Sequence, residues 1–357
     1  MDMMKCISIT KPCKFGADRK LEEPALVEII ERPVPTLKPG HAIIRTLYGG
    51  VCGSDIGTYL GAFLYAKYPQ IPGHEYAGEI IDIDENNEYG LKKGMIVTIN
   101  PYYNCGKCYT CRHGFVNCCP DNQTMGCSIR DGAFCQYISM PLERIYDGKG
   151  MKPRTLALIE PFCISYHAVK RANIQPGEKV LVVGAGTIGY LAGAAAKMLG
   201  AEVYMADIAP DKLESAKEKL GLAGTIVNKN QETFMHAVEA FTDGAGFDVC
   251  FEAVGFPSTV QNCIDAVTYH GRVVIIGVGK QSMDFFYPII QKKELCIMGS
   301  RNSEKSDFLE LIDYVNAGKF DLESVVSAEY SYLDAPTAFS ELVKNRGNHL
   351  KSGVRFD

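Results

Sequence analysis

Gly184-Ala185-Gly186-Thr187-Ile188-Gly189 follows the apolar run Val180–Val183 and opens a helical segment, Ile188–Leu199. Few local patterns restrict a fold as tightly. The first glycine permits a sharp turn, the second lets backbone approach a pyrophosphate, and the third lets helix and strand pack closely. The helix N-terminus then offers unpaired N–H groups to phosphate. Asp207 ends the next apolar run, 18 residues beyond Gly189, where a carboxylate accepts hydrogen bonds from the adenosine ribose. It would repel a 2′-phosphate, and Ile208-Ala209-Pro210 supplies no arginine to bind one, so NAD is expected rather than NADP. Lys212 is a further candidate for the ribose, its plain alternative being an exposed helix lysine.

The surrounding chain has the matching texture. From about Pro176, short apolar strands alternate with helical segments: Lys179–Val183, Ile188–Leu199, Glu202–Asp207, Asp211–Leu220, Gln231–Phe241, Phe247–Phe251, Thr259–Val267, Arg272–Ile276 and Glu294–Met298. This alternation predicts a doubly wound parallel sheet built from βαβ units. The first ~150 residues differ, being rich in Pro and Gly with short runs such as Ala42–Leu47, Gly78–Ile83 and Met95–Ile99, and they predict a β-rich region with long loops. At 357 residues the chain exceeds one ordinary core, since single cores stop growing near roughly 250–300 residues. The expectation is an α/β protein of two domains, residues 1–160 and 161–299, with residues 300–357 returning to the first.

Fourteen cysteines raise the question of staples or metal. Cys105, Cys108, Cys111 and Cys119 fall within 15 residues, a spacing that suits a closed tetrahedral zinc of four soft ligands with no place for water or substrate. The expectation is a structural zinc lobe over 105–119. Cys118 competes with Cys119 as fourth ligand, an iron–sulfur cluster is the other use of four cysteines, and His113 is expected to be a solvated loop residue.

A second group lies in the glycine-rich loops of the β-rich region: Cys52-Gly53-Ser54-Asp55 and, 22 residues after Cys52, Gly73-His74-Glu75. Singly, a buried cysteine or histidine is bland. Together, Cys52, His74 and Glu75 supply three zinc ligands and leave a fourth position open, the layout of a catalytic site.

These motifs, with Glu160-Pro161, resemble the zinc-containing medium-chain alcohol dehydrogenases over essentially the whole chain. The resemblance implies a GroES-like catalytic domain beside a Rossmann domain, two zincs per chain and an NAD-linked oxidation of an alcohol. Pairing His74-Glu75 with Glu160-Pro161 is similar to the sorbitol and threonine dehydrogenase branch. Glu160-Pro161-Phe162-x-Ile164-Ser165-x-His167-Ala168-Val169 and Lys292-Lys293-Glu294…Met298-Gly299-Ser300-Arg301-Asn302 resemble sugar-acid dehydrogenases of the L-galactonate 5-dehydrogenase type. A sugar acid or polyol is the implied substrate. Arg301 is the candidate to grip its carboxylate bidentately, with a surface arginine as the alternative. Ser54 is expected to accept the hydroxyl proton, Asp55 to orient His74, and Glu75 and Glu160 compete for the remaining place on zinc. Many relatives carry a histidine where this chain has Gly57, which leaves the proton's exit open.

The net charge of −5, without a long basic run, argues against nucleic acid. The 17 uncharged residues from Val180 to Ala196 carry four glycines and fall short of the ~20 apolar residues a bilayer needs. Met1–Lys14 holds no signal-peptide core, so a cytoplasmic protein is expected, as a homodimer or homotetramer. A zinc-free reductase would lack both ligand sets, and a non-enzymatic nucleotide-binding protein would be free to lose the catalytic one.

Overall fold

The computed structural model describes residues 2–356 except 17, 19, 128 and 346–348. The chain divides into two compact units, Met1–Glu160 with Phe308–Asp357, and Pro161–Asp307. The crossing back thus follows Asp307, later than the expected 299. Among the described residues no helix is long and apolar enough to cross a membrane, and the uncharged stretch from Val180 is a strand, a turn and a helix.

The first unit is built on a seven-stranded sheet. Its main path runs Ile145–Asp147, Ile96–Ile99, Glu75–Ile83, His41–Val51, Lys351–Arg355, Val326–Ser331, and Tyr137–Pro141 also pairs with His41–Val51. His41–Val51 extends past the Ala42–Leu47 expected from its apolar run, through Gly49 and Gly50. These glycines are required by packing: a Cβ on Gly49 would press into the Phe134 ring, and one on Gly50 would collide with the Glu75 carboxylate. Ile44, Tyr76, Ile80, Val97, Ile99, Phe134 and Phe339 form the core beneath the sheet.

Register matters more than strand count here. Gly50 pairs with Glu75 on one side of the central strand, and Val51 pairs with Ser352 on the other. The C-terminal return therefore places Lys351 beside the strand ends that carry Cys52 and Glu75.

The second unit is a six-stranded parallel sheet in the order Gly224–Val227, Glu202–Asp207, Lys179–Val183, Phe247–Glu252, Val267–Ile275, Cys296–Gly299. Counted along the chain this is 3-2-1-4-5-6, the doubly wound order whose switch point lies between its first and fourth strands. Helices Thr187–Met198, Pro210–Leu220, Gln231–Thr242 and Pro257–Ala266 connect it. The expected elements are all found, with ends moved by a few residues. Gly224–Val227 is an addition: four residues after a glycine carry little periodicity, and pairing with Tyr204–Asp207 makes them a strand.

Candidate functional site

Cys52 stands where the central strand stops and the short helix Gly53–Tyr59 begins, at the N-cap position in extended conformation. Asp55, three residues on, reaches back so that Oδ2 accepts the Cys52 amide at 2.8 Å, and its Oδ1 accepts the Gly73 amide at 3.2 Å. The carboxylate expected to orient the His74 ring thus accepts from the two backbone segments that carry Cys52 and His74. The cause is local, since a carboxylate at the third helical position is within reach of the N-cap amide. Burial raises the Asp55 carboxyl above its ordinary range, against the opposing pull of His74 and the two amides.

Gly73 has φ +99° and a Cβ there would enter the Phe134 ring. Only glycine is suited to this turn, which delivers His74 and Glu75 into the interior, 5% and 1% exposed. One donor atom from each of Cys52, His74 and Glu75 lies within 4.8 Å of the others. Such sulfur, nitrogen and oxygen donors can share one zinc, whose bonds run about 2.0–2.3 Å. A three-donor set leaves a coordination position for a substrate oxygen.

Three residues that no spacing had singled out complete the surroundings. Lys351 Nζ donates to Glu75 Oε1 at 2.6 Å, to Oε2 at 2.9 Å and to the Val51 carbonyl at 3.1 Å. Burial works to strip the proton from this amine, yet the charges of Glu75, Cys52 and Glu160 hold its pKa above the usual lysine value. The Tyr102 hydroxyl donates to Glu160 Oε1. Burial, reinforced by Glu75 and opposed by His74, Tyr102 and Lys351, pushes Glu160 up to about 7. Cys127 Sγ lies 3.6 Å from His74 Nδ1 and 3.8 Å from Ser54 Oγ, so a second thiol borders the ligand set. Gly57 sits on the same short helix as Ser54, against Phe63.

The sulfurs of Cys105, Cys108, Cys111 and Cys119 also lie within 4.8 Å of one another. The geometry selects Cys119, which is fully buried, while Cys118 is exposed. Backbone N–H groups of Cys105 and Cys108 point at the sulfurs of Cys119 and Cys105. Four convergent sulfurs fit a closed zinc site. His113 is outside the set, stacked on Tyr109 with its Nδ1 2.7 Å from the Tyr109 carbonyl.

In the second unit each glycine of the fingerprint meets its requirement. Gly184 has φ +112°, a Cβ on Gly189 would overlap the Gly184 carbonyl, and the space beside Gly186 is open. Thr187 and Ile188 begin the helix whose N-cap is Gly186. Asp207 ends its strand with Oδ2 accepting the Ala185 amide at 2.6 Å and Oδ1 the Ala209 amide at 2.9 Å. It therefore braces the phosphate-binding turn and retains lone pairs for a ribose. Lys212 is half-buried on the helix Pro210–Leu220, and Arg301 is exposed just past the strand Cys296–Gly299.

Comparison with known proteins agrees with this arrangement. A family model described as "Alcohol dehydrogenase GroES-like domain" matches residues 38–149, and one described as "Zinc-binding dehydrogenase" matches residues 187–317. The chain is 34% identical over 326 residues to the L-galactonate-5-dehydrogenase of Escherichia coli K12, covering 91% of this chain and 95% of that protein. It is 31% identical over 332 residues to the sorbitol dehydrogenase of Bacillus subtilis 168, covering 91% and 93%. Among solved structures, an Escherichia coli CFT073 alcohol dehydrogenase complexed with NADH matches with TM-score 0.88 at 26% identity, over 100% of both chains. Full-length similarity at this level, on a chain that keeps both ligand sets and the glycine fingerprint, makes it a member of the zinc-type alcohol dehydrogenases, oxidoreductases acting on CH–OH groups.

Proposed function

We propose that the chain oxidises a secondary alcohol of a sugar acid, passing hydride to NAD, as an L-galactonate 5-dehydrogenase-like enzyme. The observation that carries this reading is the convergent Cys52–His74–Glu75 set, its histidine and carboxylate buried, with Ser54 two residues from Cys52. Zinc held there supplies the Lewis acidity that makes a nearby hydroxyl easier to deprotonate. Ser54 Oγ would accept the hydroxyl proton while handing its own proton on toward solvent, and with the hydride going to the nicotinamide the sum is alcohol plus NAD to ketone, NADH and a proton. Cys52 and His74 are the firm ligands; Glu75 and Glu160 are the two carboxylates available for the third place.

Asp207 and the exposed Ile208 favour an unphosphorylated ribose and hence NAD. Arg301 is the cation assigned to the substrate carboxylate. The identity to an L-galactonate dehydrogenase supports a sugar acid, and the identity to a sorbitol dehydrogenase supports polyols as the second reading. Self-association into a homodimer or homotetramer is supported by the half-exposed outer strand Cys296–Gly299 and the exposed Val278, Phe286 and Tyr287 of the same unit.

The test is NAD reduction across aldonates, polyols and amino alcohols. An aldonate is expected to give the highest kcat/KM. If threonine or sorbitol outperformed every aldonate, the sugar-acid reading and the role of Arg301 would both fall.

A further inference from the structure

Lys351 is 5% exposed and lies 276 residues along the chain from Glu75. Burying a lysine opposite a glutamate is a poor route to stability, because desolvation of the two charges offsets most of their attraction and an apolar pair of equal volume does as well. The location of this pair, and the completeness of its bonding, indicate another purpose. An ammonium group has three N–H donors, and here all three are spent: two on the Glu75 oxygens and one on the Val51 carbonyl. Val51 immediately precedes Cys52, and Glu75 immediately follows His74. One side chain thus joins the backbone next to the cysteine ligand to the carboxylate next to the histidine ligand.

The sequence makes room for this clamp. Gly50 pairs with Glu75 across the sheet, and any larger residue there would place its Cβ on Glu75 Oε2. Ser352, the neighbour of Lys351, is in register with Val51, so strand pairing alone sets the height of the lysine. Charge points the same way. Cys52 as thiolate, Glu75 and Glu160 would bring three negative charges to one divalent cation, and Lys351 balances the one in excess.

We propose that Lys351 is a positioning residue of the catalytic metal site, fixing the Glu75 carboxylate beside the Cys52 and His74 donors and neutralising the surplus charge of a site with two carboxylates nearby. This rests on the reading of Cys52, His74 and Glu75 as the zinc ligands. Groups that orient metal ligands typically carry a 10–100-fold effect on metal affinity when removed.

The experiment is zinc retention by the full chain under competition with a chelator, for the wild type, Lys351→Met and Lys351→Arg, with the visible spectrum of the cobalt-substituted catalytic site as second readout. The wild type is expected to hold two zincs. Lys351→Met is expected to lose one of them at about 10–100-fold lower chelator concentration, to keep the zinc of the cysteine lobe, and to show altered cobalt bands. Lys351→Arg keeps the charge but carries a longer, planar head; it is expected to fold, to hold the metal with intermediate affinity, and to show shifted bands, which keeps the test decisive if Lys351→Met does not fold. Wild-type zinc affinity and an unchanged cobalt spectrum in Lys351→Arg, or in a folded Lys351→Met, would overturn the role of Lys351. A wild type that holds a single zinc overturns instead the ligand reading on which it rests.

Discussion

Asp55 joins Cys52 to Gly73: its two carboxylate oxygens, on a fully buried side chain, accept the amides of these residues at 2.8 and 3.2 Å. Both loops that carry the proposed zinc ligands are therefore fixed by one side chain. Asp55→Ala removes an N-cap contact and leaves two amides without their acceptor. The expected loss is roughly 2–4 kcal/mol of folding stability together with weaker zinc retention at the Cys52 site. Urea denaturation and metal analysis measure the two effects. Loss of neither would mean that Asp55 only fills space.

Ser54 lies one residue before Asp55, and its hydroxyl is 3.8 Å from Cys127 Sγ. If it accepts the substrate proton, Ser54→Ala should lower kcat by roughly 100-fold, the lower end for loss of a positioned proton acceptor. Both zincs should remain. Unchanged turnover at neutral pH would remove Ser54 from the reaction.

The fingerprint glycines allow a sharper test. Gly189→Ala would set a methyl group against the Gly184 carbonyl, forcing apart the turn and helix that together face the pyrophosphate. Overpacking of this kind costs about 1–3 kcal/mol. NADH affinity, followed by fluorescence titration, should fall by at least about 10-fold, while zinc content is retained. Equal affinity would place the dinucleotide elsewhere.

A pH-dependent part of the stability of the second unit resides at Asp307. Its fully buried carboxylate lies 3.0 Å from His167 Nδ1 and 3.1 Å from Lys170 Nζ, and accepts the Glu304 amide at 2.7 Å. Burial alone would raise its pKa, but His167, the Glu304 amide and Lys170 together hold it below the ordinary value. A depressed carboxylate stabilises the fold above the unfolded-state pKa, near 3.9, and that stability is lost as pH falls through the folded value. Asp307→Asn should therefore cost about 3 kcal/mol at pH 7, and the gap should narrow only below about pH 4. Urea midpoints for both proteins at neutral and acid pH decide it; a gap that widens on acidification contradicts this assignment.

What could be read from the sequence follows from how local each requirement is. Gly184, Gly186 and Gly189 answer to backbone geometry within six residues, and the four-cysteine lobe to spacing within 15, so both stood out without a fold. Cys52, His74 and Glu75 were visible as residue types, and a doubly wound parallel sheet, without its strand Gly224–Val227, followed from the alternation of strands and helices. Lys351 was not visible, because only the pairing of Lys351–Arg355 with His41–Val51 brings it to Glu75. Cys127 and Tyr102 reach the site in the same non-local way. For Asp55 the residue was legible and its partner Gly73 was not: helix capping explains the bond to the Cys52 amide, while the Gly73 amide comes from a loop 18 residues away.

Zinc per chain in the wild type and in His74→Ala decides whether one chain holds one closed and one open zinc site. Two zincs in the wild type and one in His74→Ala, with the remaining metal in the Cys105–Cys119 lobe, are the predicted result. One zinc or none in the wild type, or two in His74→Ala, would contradict it.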